Sequence, residues 1–299
     1  MRTIILYIRQ YFRETDRMIF FSVMFFTALF VFCNYHFGLD TLIRKNNAVW
    51  IKLFYWYLVF ASSFIFPYLL FIVKEKDRIS RPAGFYLLLF TAPLIFSWKI
   101  SATINYNVST DTALNDLWNQ VLYWPSLAIV VTLLLGGIWL WFDKKQPFYG
   151  LTKGNFSLKP YWLMLLLMAP LITLAATQKD FLAVYPKLKM IDDSSQGWQK
   201  ILFELSYGTD FFTIELFFRG FLILAFAKWA GKNAILPMAC FYCTIHFGKP
   251  MGECISSFFG GILLGIVVYN TRSIWGGLLV HLGIAWLMEA AGYIGNQLQ

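Results

Sequence analysis

Residues Ile201–Ala227 read Ile-Leu-Phe-Glu-Leu-Ser-Tyr-Gly-Thr-Asp-Phe-Phe-Thr-Ile-Glu-Leu-Phe-Phe-Arg-Gly-Phe-Leu-Ile-Leu-Ala-Phe-Ala. The run is long enough to cross a membrane, which takes about 20 mostly apolar residues. Yet Glu204, Asp210, Glu215 and Arg219 lie inside it. An ionisable group at membrane depth costs a few kcal/mol, so each needs a partner, a wet cavity or a chemical task.

The rest of the chain supports a membrane setting. Its 299 residues are 59% hydrophobic and only 14% charged, where a soluble domain carries about a quarter charged residues. The 31 Phe, 16 Tyr and 12 Trp suit lipid-facing and interfacial positions. Nine spans are predicted: Met18–Phe37, Leu53–Val73, Gly84–Trp98, Val121–Trp141, Tyr161–Ala176, Ile201–Ala227, Ala234–Phe247, Ser256–Tyr269 and Ile274–Ile294. The third, seventh and eighth are short for a full crossing. The fold class is all-α, a polytopic membrane helical bundle of about eight or nine spans.

The net charge of +9 lies in short clusters between apolar runs, so it reads as a topology signal and no nucleic-acid partner is expected. With the N-terminus in the cytoplasm, the inner loops hold Arg2, Arg9, Arg13, Arg17, Lys74, Lys76, Arg78, Arg81, Lys144, Lys145, Lys153, Lys159, Lys228, Lys232 and Arg272. That bias follows the positive-inside pattern, and loops 102–120 and 178–200 then face outward. The basic, amphipathic start does not read as a cleavable signal peptide. A bacterial inner membrane is the expected location. Cys33, Cys240, Cys243 and Cys254 fall in or beside apolar runs, which argues against a disulfide framework. Composition shifts near Gln178. Residues 1–177 are expected to be membrane helices nearly free of ionisable groups, and residues 178–299 to hold the functional core.

Three segments carry the chemistry. In Thr213–Gly220, Glu215 and Arg219 are four apart, share a helix face and can pair; a structural ion pair is an equal alternative. In Phe241–Glu253, His246 ends a short apolar helix, Gly248 and Pro250 break it, and Glu253 opens the next. A lone membrane histidine is more often a packing hydrogen bonder. The spacing of Cys240, Cys243 and His246 makes a zinc site conceivable, although small buried cysteines are the simpler reading. In Gly276–Trp286, His281 has no charged neighbour one turn away, so its partner must come from another helix. At about 1.5 Å per residue, Glu215, His246 and His281 lie roughly 20, 21 and 14 Å from the basic residues flanking their helices. All three therefore fall near the middle of a ~30 Å core. Gly261 and Gly265 form a small-xxx-small pair that lets a neighbouring helix come close.

Ile214–Trp286 resembles the CPBP family of intramembrane CAAX proteases and bacteriocin-processing (Abi-type) proteins. That pattern is Glu-Glu-x-x-x-Arg, then Phe-x-x-x-His, then His-x-x-x-Asn/Asp. Here Glu215, Arg219, His246 and His281 match. Ile214 stands at the first Glu, Tyr242 at the Phe and Ala285 at the Asn/Asp. The resemblance implies an intramembrane endopeptidase acting on a peptide or protein, prenylated or transmembrane. Glu215 or Glu253 with His246 would activate water, His281 would hold the oxyanion and Arg219 would orient Glu215. If a divalent metal such as zinc is used, His246 and His281 are its expected ligands; a metal-free glutamate mechanism is equally open. The alternatives are an inactive scaffold or self-immunity member and, third, a small-solute transporter.

Overall fold

A computed structural model describes residues 2–74, 80–153, 158–191 and 196–298. Lys76 and Arg78 of the predicted inner loops lie outside the described residues. The order of helices is α1 (Arg2–Glu14), α2 (Arg17–Phe37), α3 (Leu39–Arg44), α4 (Val49–Lys74), α5 (Ala83–Ser101), α6 (Thr112–Phe142), α7 (Lys159–Ala175) and α8 (Lys179–Val184). Then come α9 (Gly197–Ile214), α10 (Ala227–Ala230), α11 (Ile235–Thr244), α12 (Met251–Thr271) and α13 (Trp275–Gln297). The regular elements of the described residues are all helical, as the sequence predicts.

Local chemistry sets several of the ends. Asp16 caps α2 by accepting from the Ile19 N–H at 3.0 Å. Gly38, at φ +67°, ends it in the left-handed conformation that glycine adopts without a Cβ penalty. Asp111 caps α6 through the N–H groups of Ala113 and Leu114.

Helices α2, α4, α5, α6, α12 and α13 are each long and apolar enough to cross a membrane. Large apolar side chains cover their outer surface: Phe25 is 72% exposed, Leu133 70% and Trp141 85%. In water such a surface would aggregate; against acyl chains it is at home. All nine predicted spans coincide with helices, but their lengths differ. The third and eighth lengthen to 19 and 21 residues as α5 and α12. The seventh stays short: α11 has ten residues, all of them buried. It is an interior helix enclosed by protein, packed against α4 and α12.

From α9 the chain continues without a break into a wider helix, Glu215–Ala225, with i→i+5 hydrogen bonding. Such π-type stretches are rare and concentrate at functional sites. Gly261 and Gly265 serve as close-contact points on α12. A Cβ on Gly261 would lie 3.2 Å from the Tyr242 ring, and one on Gly265 2.9 Å from Met238 Cε. Thr27 of α2 donates to Cys240 Sγ at 3.2 Å, and Asn34 Nδ2 donates to the Phe247 carbonyl at 3.0 Å. These two bonds pin α11 and the turn after it. The largest buried cluster draws side chains from both sides of residue 177, including Phe60, Phe96, Phe217 and Phe241.

Segment 178–191 folds back over the C-terminal helices. The Tyr185 hydroxyl donates to Glu253 at 3.0 Å. The backbone N–H groups of Lys187 and Leu188 donate to the Glu289 carboxylate at 2.8 and 3.2 Å. Asn296 Nδ2 donates to the Tyr185 carbonyl at 2.9 Å. Carboxylates on α12 and α13 thus hold a roof over this end of the bundle.

Candidate active site

Glu215 begins the widened helix and is fully buried, with Arg219 1% exposed. Arg219 Nη1 stands 3.3 Å from Glu215 Oε1, but Nη1 and Nε make no aligned hydrogen bond. The pairing expected from the four-residue spacing is present as a one-sided ion pair. The guanidinium carbon instead sits 3.8 Å from the centre of the Tyr242 ring, a cation–π contact that strengthens when desolvated.

The inter-helix partner that His281 required is Glu215. His281 Nδ1 donates to Glu215 Oε1 at 3.0 Å. The other nitrogen, Nε2, is 3.0 Å from the Tyr242 hydroxyl. With Nδ1 carrying its hydrogen toward the carboxylate, the tautomer with a lone pair on Nε2 accepts there from Tyr242. The result is a continuous chain, Tyr242 to His281 to Glu215, across α11, α13 and the widened helix. Gly277 is essential to it: a Cβ there would come 2.5 Å from Glu215 Oε2. Phe211 packs edge-on to His281 at 4.8 Å between ring centres.

His246 lies in the turn after α11. Its Nδ1 is 2.9 Å from the Tyr242 carbonyl. A carbonyl only accepts, so Nδ1 carries the hydrogen and Nε2 keeps its lone pair. The His246 ring meets the Tyr242 ring edge-on at 4.7 Å, and Tyr242 and His281 are 6.0 Å apart by the same measure. Both imidazoles therefore flank one tyrosine, and both are only half-buried.

Glu253 is not joined to this chain. Its carboxylate accepts from Tyr185 and lies 3.5 Å from Lys249 Nζ. Ile214 and Ala285, the two departures from the family pattern, are buried and apolar, 9% and 4% exposed. Ala285 packs with Tyr207 and Phe211.

A metal does not fit this donor set. Both His281 nitrogens are engaged, one by a carboxylate and one by a hydroxyl. Among the described residues no group of three His, Cys, Asp or Glu side chains is placed to hold an ion. Cys240 is bound to Thr27, and Cys243 faces Cys254 with 3.8 Å between sulfurs, so neither turns toward His246 as a thiolate ligand.

Sequence reasoning missed the hydroxyl of Tyr242, the cleared space at Gly277 and the roof residue Tyr185. The signal for Tyr242 was present, since a hydroxyl stands where the family pattern has Phe. Nothing local marked the other two.

Residues 198–287 match the sequence model of the type II CAAX prenyl endopeptidase Rce1-like family. The match starts at the head of α9 and takes in Glu215, Arg219, His246, Glu253 and His281, over less than a third of the chain. No curated protein and no solved structure matches the chain.

Proposed function

We propose that the protein is an intramembrane endopeptidase of the CAAX type, with water activated by His246. The observation that supports it most is the Tyr242–His281–Glu215 hydrogen-bond chain, with His246 against the same tyrosine. The tautomer of His246 leaves the Nε2 lone pair uncommitted. Neither carboxylate is as well placed. Glu215 is enclosed by His281, Arg219 and Gly277, and Glu253 is committed to Tyr185 and Lys249.

In this mechanism His246 Nε2 takes a proton from water as the water oxygen bonds to the scissile carbonyl carbon. The displaced π electron pair moves onto the carbonyl oxygen. The Tyr242 hydroxyl swings its one hydrogen from His281 Nε2 to that oxyanion in a low-dielectric site, and His281, held through Nδ1 by Glu215, positions the tyrosine. As the C–N bond breaks, the proton on His246 passes to the leaving amine. No step passes through a metal. The C-terminal third acts as the peptidase core and the preceding helices enclose it, in a cell membrane with the N-terminus on the cytoplasmic side. Prenylated or transmembrane peptides are the substrate class that the family match suggests.

The test is cleavage of such peptides by the purified chain. His246→Ala and His281→Ala should each lower turnover by about 10²–10⁴-fold, the range for a lost acid–base group. Undiminished turnover in either variant rejects the assignment. A second reading, a non-enzymatic member that binds a peptide in the same place, draws on the apolar side chains at Ile214 and Ala285. Peptide binding without any cleavage in the wild type would favour it.

A further inference from the structure

We propose that Arg2, Arg9 and Arg13 of α1 form a stripe that binds the phosphate groups of anionic phospholipids, at the membrane face where α2 begins.

Helix α1 is held to the bundle by one side. Ile4 packs in one cluster with Leu264 and Val267 of α12, and Tyr11 joins the main core. An α-helix turns about 100° per residue, so Arg2, Arg9 and Arg13 fall within about 40° of one another, on the side opposite Ile4 and Tyr11. All three are exposed. Ile5 and Phe12 flank the stripe on one side and Leu6 on the other, and these apolar side chains are exposed as well.

The arginines lack counter-charges. Residues 2–17 hold four arginines and two carboxylates, and lysines from elsewhere in the chain take both carboxylates. Glu14 accepts from Lys232 Nζ at 2.7 Å, and its second oxygen accepts from Gln10 at 2.9 Å. Asp16 accepts from Lys74 Nζ at 2.8 Å while it caps α2. Among the described residues, Arg2, Arg9 and Arg13 have no carboxylate at ion-pair distance. Three guanidinium groups in a row are left for an outside anion.

The surroundings select a lipid as its source. Helix α1 ends at Glu14 and α2 begins at Arg17. The first turns of α2 present Met18, Phe21 and Phe25 outward, so acyl chains begin there. An amphipathic helix beside that boundary lies in the interface, with its apolar side chains among acyl chains and its arginines reaching the phosphates. The planar guanidinium matches phosphate bidentately. A nucleic acid or an acidic protein would meet the charges but leave Ile5, Leu6 and Phe12 in water. A row of like charges favours a lipid of net negative charge over a zwitterionic one, whose headgroup carries its own cation.

The experiment titrates the full-length wild-type chain, in neutral detergent, with phosphatidylglycerol or phosphatidylcholine of the same acyl chains. Native mass spectrometry counts the bound lipids. Phosphatidylglycerol should bind about tenfold tighter. Arg2→Gln, Arg9→Gln and Arg13→Gln together should remove most of that preference, and Lys at the same three positions should keep it. Arg9→Gln alone should remove part of it, which covers the case of a triple variant that does not fold. Lys144→Gln, Lys145→Gln and Lys153→Gln together make the same loss of exposed charge outside α1 and should change nothing. Equal wild-type affinity for the two lipids overturns the proposal. An equal loss in the lysine variant also overturns it, because the attraction would then belong to the whole basic face. Displacement of the lipid by inorganic phosphate, but not by chloride at the same ionic strength, would assign the stripe to a soluble anion. An RNA oligonucleotide that binds the wild type and not the arginine variant, with no lipid preference, would assign it to nucleic acid. Lipid binding is read without turnover, so the outcome does not depend on whether the chain is a peptidase.

Discussion

Residues 2–177 and residues 178–298 bury charge in different ways. Among the described residues the first part buries two charged side chains, Lys99 and Asp143. Each finds its partner in the second part: Lys99 Nζ is 2.6 Å from Asp210 and Asp143 is 2.7 Å from Lys228 Nζ. The second part buries Glu215, Arg219 and Glu289 and gives each a neighbour from within, through His281, Tyr242 and the backbone of the roof. The first part thus uses its buried ions to attach itself to the second, and the second keeps its buried ions beside an imidazole and the backbone of the roof.

The sharpest way to break that contrast is to remove a docking ion. Lys99→Met leaves Asp210 without its partner where both side chains are mostly buried, a loss of about 3–5 kcal/mol. Thermal unfolding in detergent should show a large drop in the midpoint, and adding Asp210→Leu should restore much of it. If Lys99→Met is as stable as the wild type, the pair is not a dock.

A functional ion should respond differently. Gly277→Ala drives a methyl group into Glu215 Oε2 and pushes the carboxylate away from His281. A displacement of about 1 Å can reduce turnover about 10²-fold. Peptide turnover should fall by that order while the unfolding midpoint moves little. An equal collapse of both would mean that Glu215 is structural, like Asp210.

Much of this was legible before any coordinates. Apolar runs located a helix at each of the nine predicted spans, and six of those helices are long and apolar enough to cross a membrane, because a lipid solvent requires an apolar exterior and internally satisfied backbone. The depth of Glu215, His246 and His281 along their helices pointed to one meeting place, because helical rise is regular. The family match over residues 198–287 covers all three of those groups.

The remainder depended on contacts between distant segments. That α11 is a ten-residue interior helix follows from α2, α4 and α12 enclosing it. That Glu253 holds a roof and does not join His246 depends on Tyr185, 68 residues earlier. Periodicity along a chain reports which groups share a face and at what depth, because both are set by the local geometry of one helix. It carries no information on rotation about the helix axis or on which neighbour packs there. Those are settled only when side chains from separate helices compete for the same space, as Gly277 and Glu215 do.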